Sequence, residues 1–198
     1  TLTSWLESSA AGGVQNWNNL RGEKSLASYD VPHRLMLSYV LDLPIGKGKT
    51  FLRDVQGVAD KLASGWGING VTTFQAGYPL VLTAQATTLS STFGAGTPRP
   101  VVVAGCQKEI SGPAQSRLGK WFETSCFSQP GSFAYGTESR TDPDLRSPGI
   151  NNWDLAIFKN TRLTEQANLR SQAEVFNLAN RVQFNAPGTS LGTSTFGI

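Results

Sequence analysis

Four sets of residues carry atoms suited to chemistry. Gly46-Lys47-Gly48-Lys49-Thr50 ends like a phosphate-binding loop, offering backbone amides, an ammonium and a hydroxyl to a nucleotide and its Mg²⁺. The leading glycine of such a loop would fall on Leu43, and Pro44 follows an alternating segment rather than a buried parallel strand, so a basic turn is the plainer reading. His33 is the one histidine of the chain, and a histidine metal cluster or a Ser-His-Asp triad would depend on it alone. Next to Pro32 at the start of a strand, it is expected to be an interfacial ring. Cys106 and Cys126 lack CxxC spacing; they are either free thiols or, in an oxidising compartment, a disulfide. Glu138, Asp142 and Asp144 could offer oxygens to Ca²⁺, but without the ordered ligands and closing Glu of an EF-hand they are expected to be solvated. No catalytic residue, metal site or cofactor is expected, and the chain is not expected to be an enzyme.

The elements that hold these residues are strands. Gly (21 residues) and Pro (10) are too abundant for a helical protein, and nothing divides the 198 residues into compositional halves. No run approaches the roughly 18 apolar residues of a spanning helix, which excludes a helical membrane protein but not a strand barrel. A net charge of +3 is scattered rather than clustered, so no nucleic-acid partner is expected. The opening Thr1-Leu2-Thr3-Ser4-Trp5 has neither a Met nor a signal-peptide pattern, and it is expected to be a cut.

Residues 33–43 alternate, with Leu35, Leu37, Tyr39 and Leu41 opposite Arg34, Met36, Ser38, Val40 and Asp42. From Trp66 the pattern sets Trp66, Ile68, Gly70, Thr72 and Phe74 against Gly67, Asn69, Val71, Thr73 and Gln75. A third strand puts Trp153, Leu155 and Ile157 opposite Asp154 and Ala156. A fourth puts Leu169, Ser171, Ala173 and Val175 opposite Arg170, Gln172 and Glu174. Strands of about 10 residues suit a tilted transmembrane strand. Aromatics near strand ends (Tyr29, Tyr39, Trp66, Phe74, Trp153, Phe158, Phe176) suit two interfacial girdles. The spacing of Phe51, Leu52, Val55, Val58, Ala59 and Leu62 predicts a short amphipathic helix over 51–63, packed beneath a turn. Residues 84–150, broken by Gly and Pro, are expected to be a long loop with a brief strand at 101–103. The expected fold is all-β: an open antiparallel sheet of about four to six strands with unpaired edges, from a large transmembrane barrel.

Several of these segments also resemble one family. The run Tyr29-Asp30-Val31-Pro32-His33-Arg34-Leu35-Met36-Leu37-Ser38-Tyr39, with Asp42-Leu43-Pro44-Ile45-Gly46 after it, is similar to the Oar-like TonB-dependent receptors that carry an N-terminal carboxypeptidase-regulatory-like domain. Gly65-Trp66-Gly67-Ile68-Asn69-Gly70, Phe74-Gln75-Ala76-Gly77-Tyr78-Pro79, Arg146-Ser147-Pro148-Gly149-Ile150-Asn151-Asn152-Trp153-Asp154 and Arg170-Ser171-Gln172-Ala173-Glu174-Val175-Phe176-Asn177 resemble later landmarks of the same family, in the same order.

The resemblance implies that 1–198 is part of a 22-stranded barrel domain in the bacterial outer membrane, lacking the final strand that follows Ile198 in family members. It implies outer-membrane lipid, the protein's own plug and remaining strands, TonB (through an N-terminal region not present here) and an unidentified external ligand as partners. It places 44–65 and 160–166 in the periplasm and 3–31 and 84–150 outside. Arg34, Asp42, Asn69, Gln75, Asp154, Arg170, Gln172 and Glu174 are then the lumen-facing candidates, with plug contact favoured over a solute path. Two rival functions are a non-transport adhesin or scaffold barrel, and a soluble β-sandwich that stacks carbohydrate on Trp5, Trp17, Trp121 and Tyr135.

Overall fold

The computed structural model describes residues 3–4 and 13–198. Its strands are β1 (Thr3–Ser4), β2 (Ser25–Leu26), β3 (Arg34–Asp42), β4 (Trp66–Gln75), β5 (Val101–Val102), β6 (Phe127–Ser128), β7 (Ile150–Arg162) and β8 (Asn168–Val175); the α-helices among the described residues are α1 (Gly57–Ala63) and α2 (Thr88–Thr92). Among the described residues no helix is long and apolar enough to cross a membrane. The chain divides into two compact units: His33–Gln75 with Ile150–Val182, and Thr1–Pro32 with Ala76–Gly149 and Gln183–Ile198.

The first unit, the sheet unit, is one antiparallel sheet in the order β3-β4-β7-β8. Its four strands are those predicted from alternation, with shifted ends. β4 ends at Gln75, where its alternation ends, whereas β7 extends to Arg162 because Asn160 and Arg162 find ladder partners in Arg170 and Asn168. The turn after it narrows to 163–167, closed by the Leu163 amide on the Ala167 carbonyl at 3.0 Å. No residue of β8 is buried, and every residue of β3 is exposed except Tyr39, which is half-buried.

Helix α1 is shorter than 51–63. Leu52 is left-handed (φ 58°), and the Phe51 amide and carbonyl are taken by Pro44 and Gly46 at 2.9 and 2.8 Å, so the chain there closes a turn before any helix starts. α1 buries none of its residues, but its C-terminal turn meets the turn at 46–49, where the Lys47 amide donates to Asp60 at 3.4 Å.

The second unit, the loop unit, corrects the expectation for 84–150. Irregular in secondary structure, it nevertheless has a core of its own, in which Leu80, Leu82, Trp121, Phe122, Cys126, Phe127, Leu145 and Phe196 are buried. Phe122 meets Phe127 and Phe196 edge-on, with ring centres 5.6 and 5.1 Å away. Only the first two of the three residues expected as a brief strand pair, as β5 against β6.

Candidate functional site: a two-faced sheet and a stapled polar unit

The ladder register decides which side chains share a face. Leu41, Ile68, Ile157 and Ala173 form one cross-strand row; Tyr39, Gly70, Leu155 and Val175 form the next; Leu37, Thr72 and Trp153 form a third. The row Trp66-Lys159-Ser171 lies at one end of this face and Leu35-Phe74-Asn151 at the other. All four strands therefore send their apolar series to one side. Eight residue steps from Trp66 to Phe74 are about 26 Å along an extended strand, or about 20 Å of height at the tilt of barrel strands, which covers most of the roughly 25 Å apolar band of an outer-membrane barrel wall.

Each end of the band carries a specific contact. Phe74 and Trp153 meet edge-on, with ring centres 5.6 Å apart. At the opposite end the Lys159 ammonium lies 4.9 Å from the Trp66 ring centre and donates to the Leu62 and Ser64 carbonyls at 2.9 and 2.7 Å. Its aliphatic stem thus runs along the apolar face while its charge is held at the margin. Two aromatics depart from the expected girdles. Tyr39 sits in the middle row, where its ring lies over Gly70 in space that a β-carbon would fill. Phe158 points to the other side.

That other side is polar. Its rows are Asp42-Gly67-Phe158-Gln172, Val40-Asn69-Ala156-Glu174, Ser38-Val71-Asp154, Met36-Thr73-Asn152 and Arg34-Gln75-Ile150. All eight candidates share this face, but they are not one cluster. Asn69, Asp154, Gln172 and Glu174 line a shallow depression of about 200 Å³. Arg34 and Gln75 pair at one end, and Asp42 and Arg170 lie toward the other. Asp154 is held by the Asn152 side chain and the Asn177 amide, both at 2.9 Å, and Gln172 donates to Glu174 at 2.7 Å. Phe158 is buried here because Gly67 opposite leaves it room and the Arg170 guanidinium covers its ring at 4.4 Å. Alternation alone could not reveal that stack; the signal was a glycine beside a large aromatic with a cation diagonal to it.

In the loop unit Cys106 and Cys126 form a disulfide, with Cα atoms 5.5 Å apart. The three acids weighed as calcium ligands and expected to be solvated face Lys108 instead, with Glu138 and Asp142 buried and only Asp144 exposed. The Lys108 ammonium lies 2.8 Å from Asp142, 3.2 Å from Asp144 and 3.9 Å from Glu138, so a protein cation occupies the position a metal would take. Among the described residues no group of His, Cys, Asp and Glu is arranged to hold a metal ion. Burial pulls the Lys108 pKa down, but the hydrogen bond and charge of Asp142, with Glu138 and Asp144, outweigh it and leave the pKa raised. Burial, then the charge of Asp142, pushes the Glu138 carboxyl up.

A second buried pair joins Arg99 to Glu23. Burial, with Arg140 nearby, lowers the Arg99 guanidinium to about 10. Gln15 ties this pair into the backbone, accepting from the Arg99 and Gly136 amides at 2.9 and 3.2 Å.

The other sequence motifs have quieter surroundings. His33 is exposed just before β3, and Lys47–Thr50 form an exposed turn in the β3–β4 connection, so the phosphate-loop resemblance lacks its strand–loop–helix setting. Of the proposed stacking residues, Trp121 is in the core with its indole donating to the Arg146 carbonyl at 2.7 Å. Trp17 and Tyr135 are exposed, and Trp5 lies outside the described residues.

A meandering antiparallel sheet with one apolar and one polar face, and an aromatic at each end of the apolar band, defines the class as a β-barrel wall. The chain belongs to the outer membrane beta barrel domain family, whose model matches residues 2–198. This places the protein in the bacterial outer membrane, in contact with its lipid. No curated protein and no solved structure matches the chain.

Proposed function

We propose that the chain is a segment of the wall of a TonB-dependent receptor of the Oar-like kind, working in energised uptake of a nutrient, and that it has no enzymatic role. The observation that carries this is the register: all eight polar candidates fall on one face while Leu35, Leu37, Leu41, Ile68, Leu155 and Ile157 fall on the other. The apolar face meets lipid and the polar face meets a lumen filled by a plug, whose backbone and side chains hydrogen-bond to Asn69, Asp154, Gln172 and Glu174. The ends of β3, β4 and β7 at Arg34, Gln75 and Ile150 lie in one row, and this is the outer end. The connections 43–65 and 163–167 leave from the opposite, periplasmic end.

One observation favours a second reading, an adhesin or scaffold barrel. The loop unit is a built body with a core, a disulfide and buried ion pairs, as suits a partner-binding surface. Site-specific crosslinking of the full-length protein to TonB in cells separates the two. A transporter gives a TonB adduct that grows when its external nutrient is supplied; a correctly assembled barrel that gives none is a scaffold.

A further inference from the structure

The β3–β4 connection displays a set of apolar side chains that the sheet unit leaves uncovered. On α1, Val58 and Leu62 are 75% and 68% exposed, and Phe51 and Leu52 just before it are also exposed. The connection is nonetheless a built element. The Lys47 amide donates to Ser64 Oγ at 3.1 Å, Gly46 packs against Ser64 with no room for a β-carbon, and the Ser64 amide closes on the Asp60 carbonyl at 2.8 Å. Its position relative to the two faces is set by the last turn of α1. Trp66 Nε1 and Lys159 Nζ, both from the apolar face, donate to the same Leu62 carbonyl at 2.9 Å. The C-terminal end of α1 therefore lies on the apolar side of the wall, at the row where the band ends.

We propose that α1 and the turn before it form an interfacial anchor that seats in the anionic phospholipid surface surrounding the barrel at this end of the sheet. This rests on the apolar face being the lipid face. Two observations select lipid as the occupant. The exposed apolar residues continue the apolar face through the Trp66–Lys159–Leu62 contacts, so whatever wets Ile68 and Ile157 reaches them. The connection also carries Lys47, Lys49, Arg53 and Lys61 against only Asp54 and Asp60, an excess of basic charge that suits phosphate headgroups. Val58 and Leu62 enter the boundary between headgroups and acyl chains, while the basic side chains stay at headgroup level. A tryptophan and a lysine at the band margin are the usual companions of such an anchor.

The test uses the full-length protein folded into vesicles, with a polarity-sensitive fluorophore on single cysteines; the two cysteines of this chain are bonded to each other. Labels at Val58→Cys and Leu62→Cys are compared with a headgroup-level control in the same connection, Asp54→Cys, and a lipid control, Leu37→Cys. Phosphatidylcholine with brominated acyl chains supplies the quencher, with and without added phosphatidylglycerol. Quenching at 58 and 62 should exceed that at 54 by about threefold or more. Phosphatidylglycerol should increase it, and that increase should vanish in the Arg53→Glu/Lys61→Glu background. Quenching at 58 and 62 no stronger than at 54 overturns the anchor, as does shielding from aqueous iodide without quenching by brominated lipid, which indicates a protein partner. Strong quenching at 37 with none at 58 and 62 refutes the anchor alone, whereas none at 37 refutes the facing assignment beneath it.

Discussion

The two units of this chain stabilise themselves in opposite ways. The sheet unit depends on backbone ladders, and large apolar side chains such as Leu35, Leu37, Leu41 and Leu169 are exposed on it. In the loop unit Phe122, Leu82 and Cys126 are fully buried, and a disulfide and ion pairs add to the core. A soluble domain hides its apolar groups from water inside itself. A barrel wall has no such interior, because its core is divided between lipid on one face and a polar lumen on the other. The contrast shows where each part obtains its stability: the loop unit from its own contacts, the sheet from its surroundings.

Substitutions that affect one unit and spare the other sharpen this contrast. Phe122→Ala should cost about 3–5 kcal/mol in the loop unit, since three packed rings lose their shared contact. Phe176→Ala, at an exposed position beyond β8, should cost well under a third of that. Limited proteolysis of the assembled protein reads both, and equal sensitivity would break the contrast. Replacing Cys106 and Cys126 by Ser should cost about 3 kcal/mol, the entropy released by opening a loop whose ends are 20 residues apart. It should leave the heat-modifiable barrel band unchanged, and loss of that band would show that the sheet leans on the staple.

The Lys108 cluster gives a smaller, pH-dependent effect. Its pKa is raised on folding, so its contribution is fully present below the ordinary lysine value of about 10.4 and is lost as pH rises through the higher folded value. Glu138 has the same sign in the acid range: its raised pKa means the folded unit holds the proton more tightly, so stability falls as pH rises through its titration. Protease resistance of the loop unit should fall as pH rises above about 10.4, and Lys108→Met should flatten that fall; an unchanged alkaline slope in the variant would assign it to other groups. Smallest is Arg170→Ala, which uncovers Phe158 on the polar face and should cost about 0.5–1 kcal/mol in urea unfolding of the barrel.

The sheet was legible in the sequence because alternation has a period of two and four separate segments kept it. Leu35-Leu37-Tyr39-Leu41 and Leu169-Ser171-Ala173-Val175 could be assigned to a face before any register was known. The end of β7 was not legible, since Asn160, Thr161 and Arg162 look like a turn until Arg170 and Asn168 pair with them. The core of the loop unit was hidden for a different reason. Leu80 with Leu82, Trp121 with Phe122 and Cys126 with Phe127 are short scattered groups, Leu145 and Phe196 are single residues among polar or glycine neighbours, and long-range contacts bring them together without any local period. Glu138, Asp142 and Asp144 were visible as a cluster of acids, but nothing in their spacing pointed to Lys108, about thirty residues earlier in the chain. Likewise Trp66 was visible as a strand-end aromatic, whereas its partnership with Lys159 required the β4–β7 register.

The facing of the sheet is the central claim, and neighbouring positions on β3 test it most directly. Leu37 is one row from the middle of the apolar band, and Ser38 is the next residue, on the polar face. An arginine on the lipid side costs about 2–4 kcal/mol near the midplane, while the same arginine in the lumen meets water and polar groups. Leu37→Arg should therefore sharply lower the folded, heat-modifiable band in outer-membrane preparations of the full-length protein, and Ser38→Arg should leave it near the wild-type level. Equal loss in the two variants, or a greater loss for Ser38→Arg, would contradict the facing assignment.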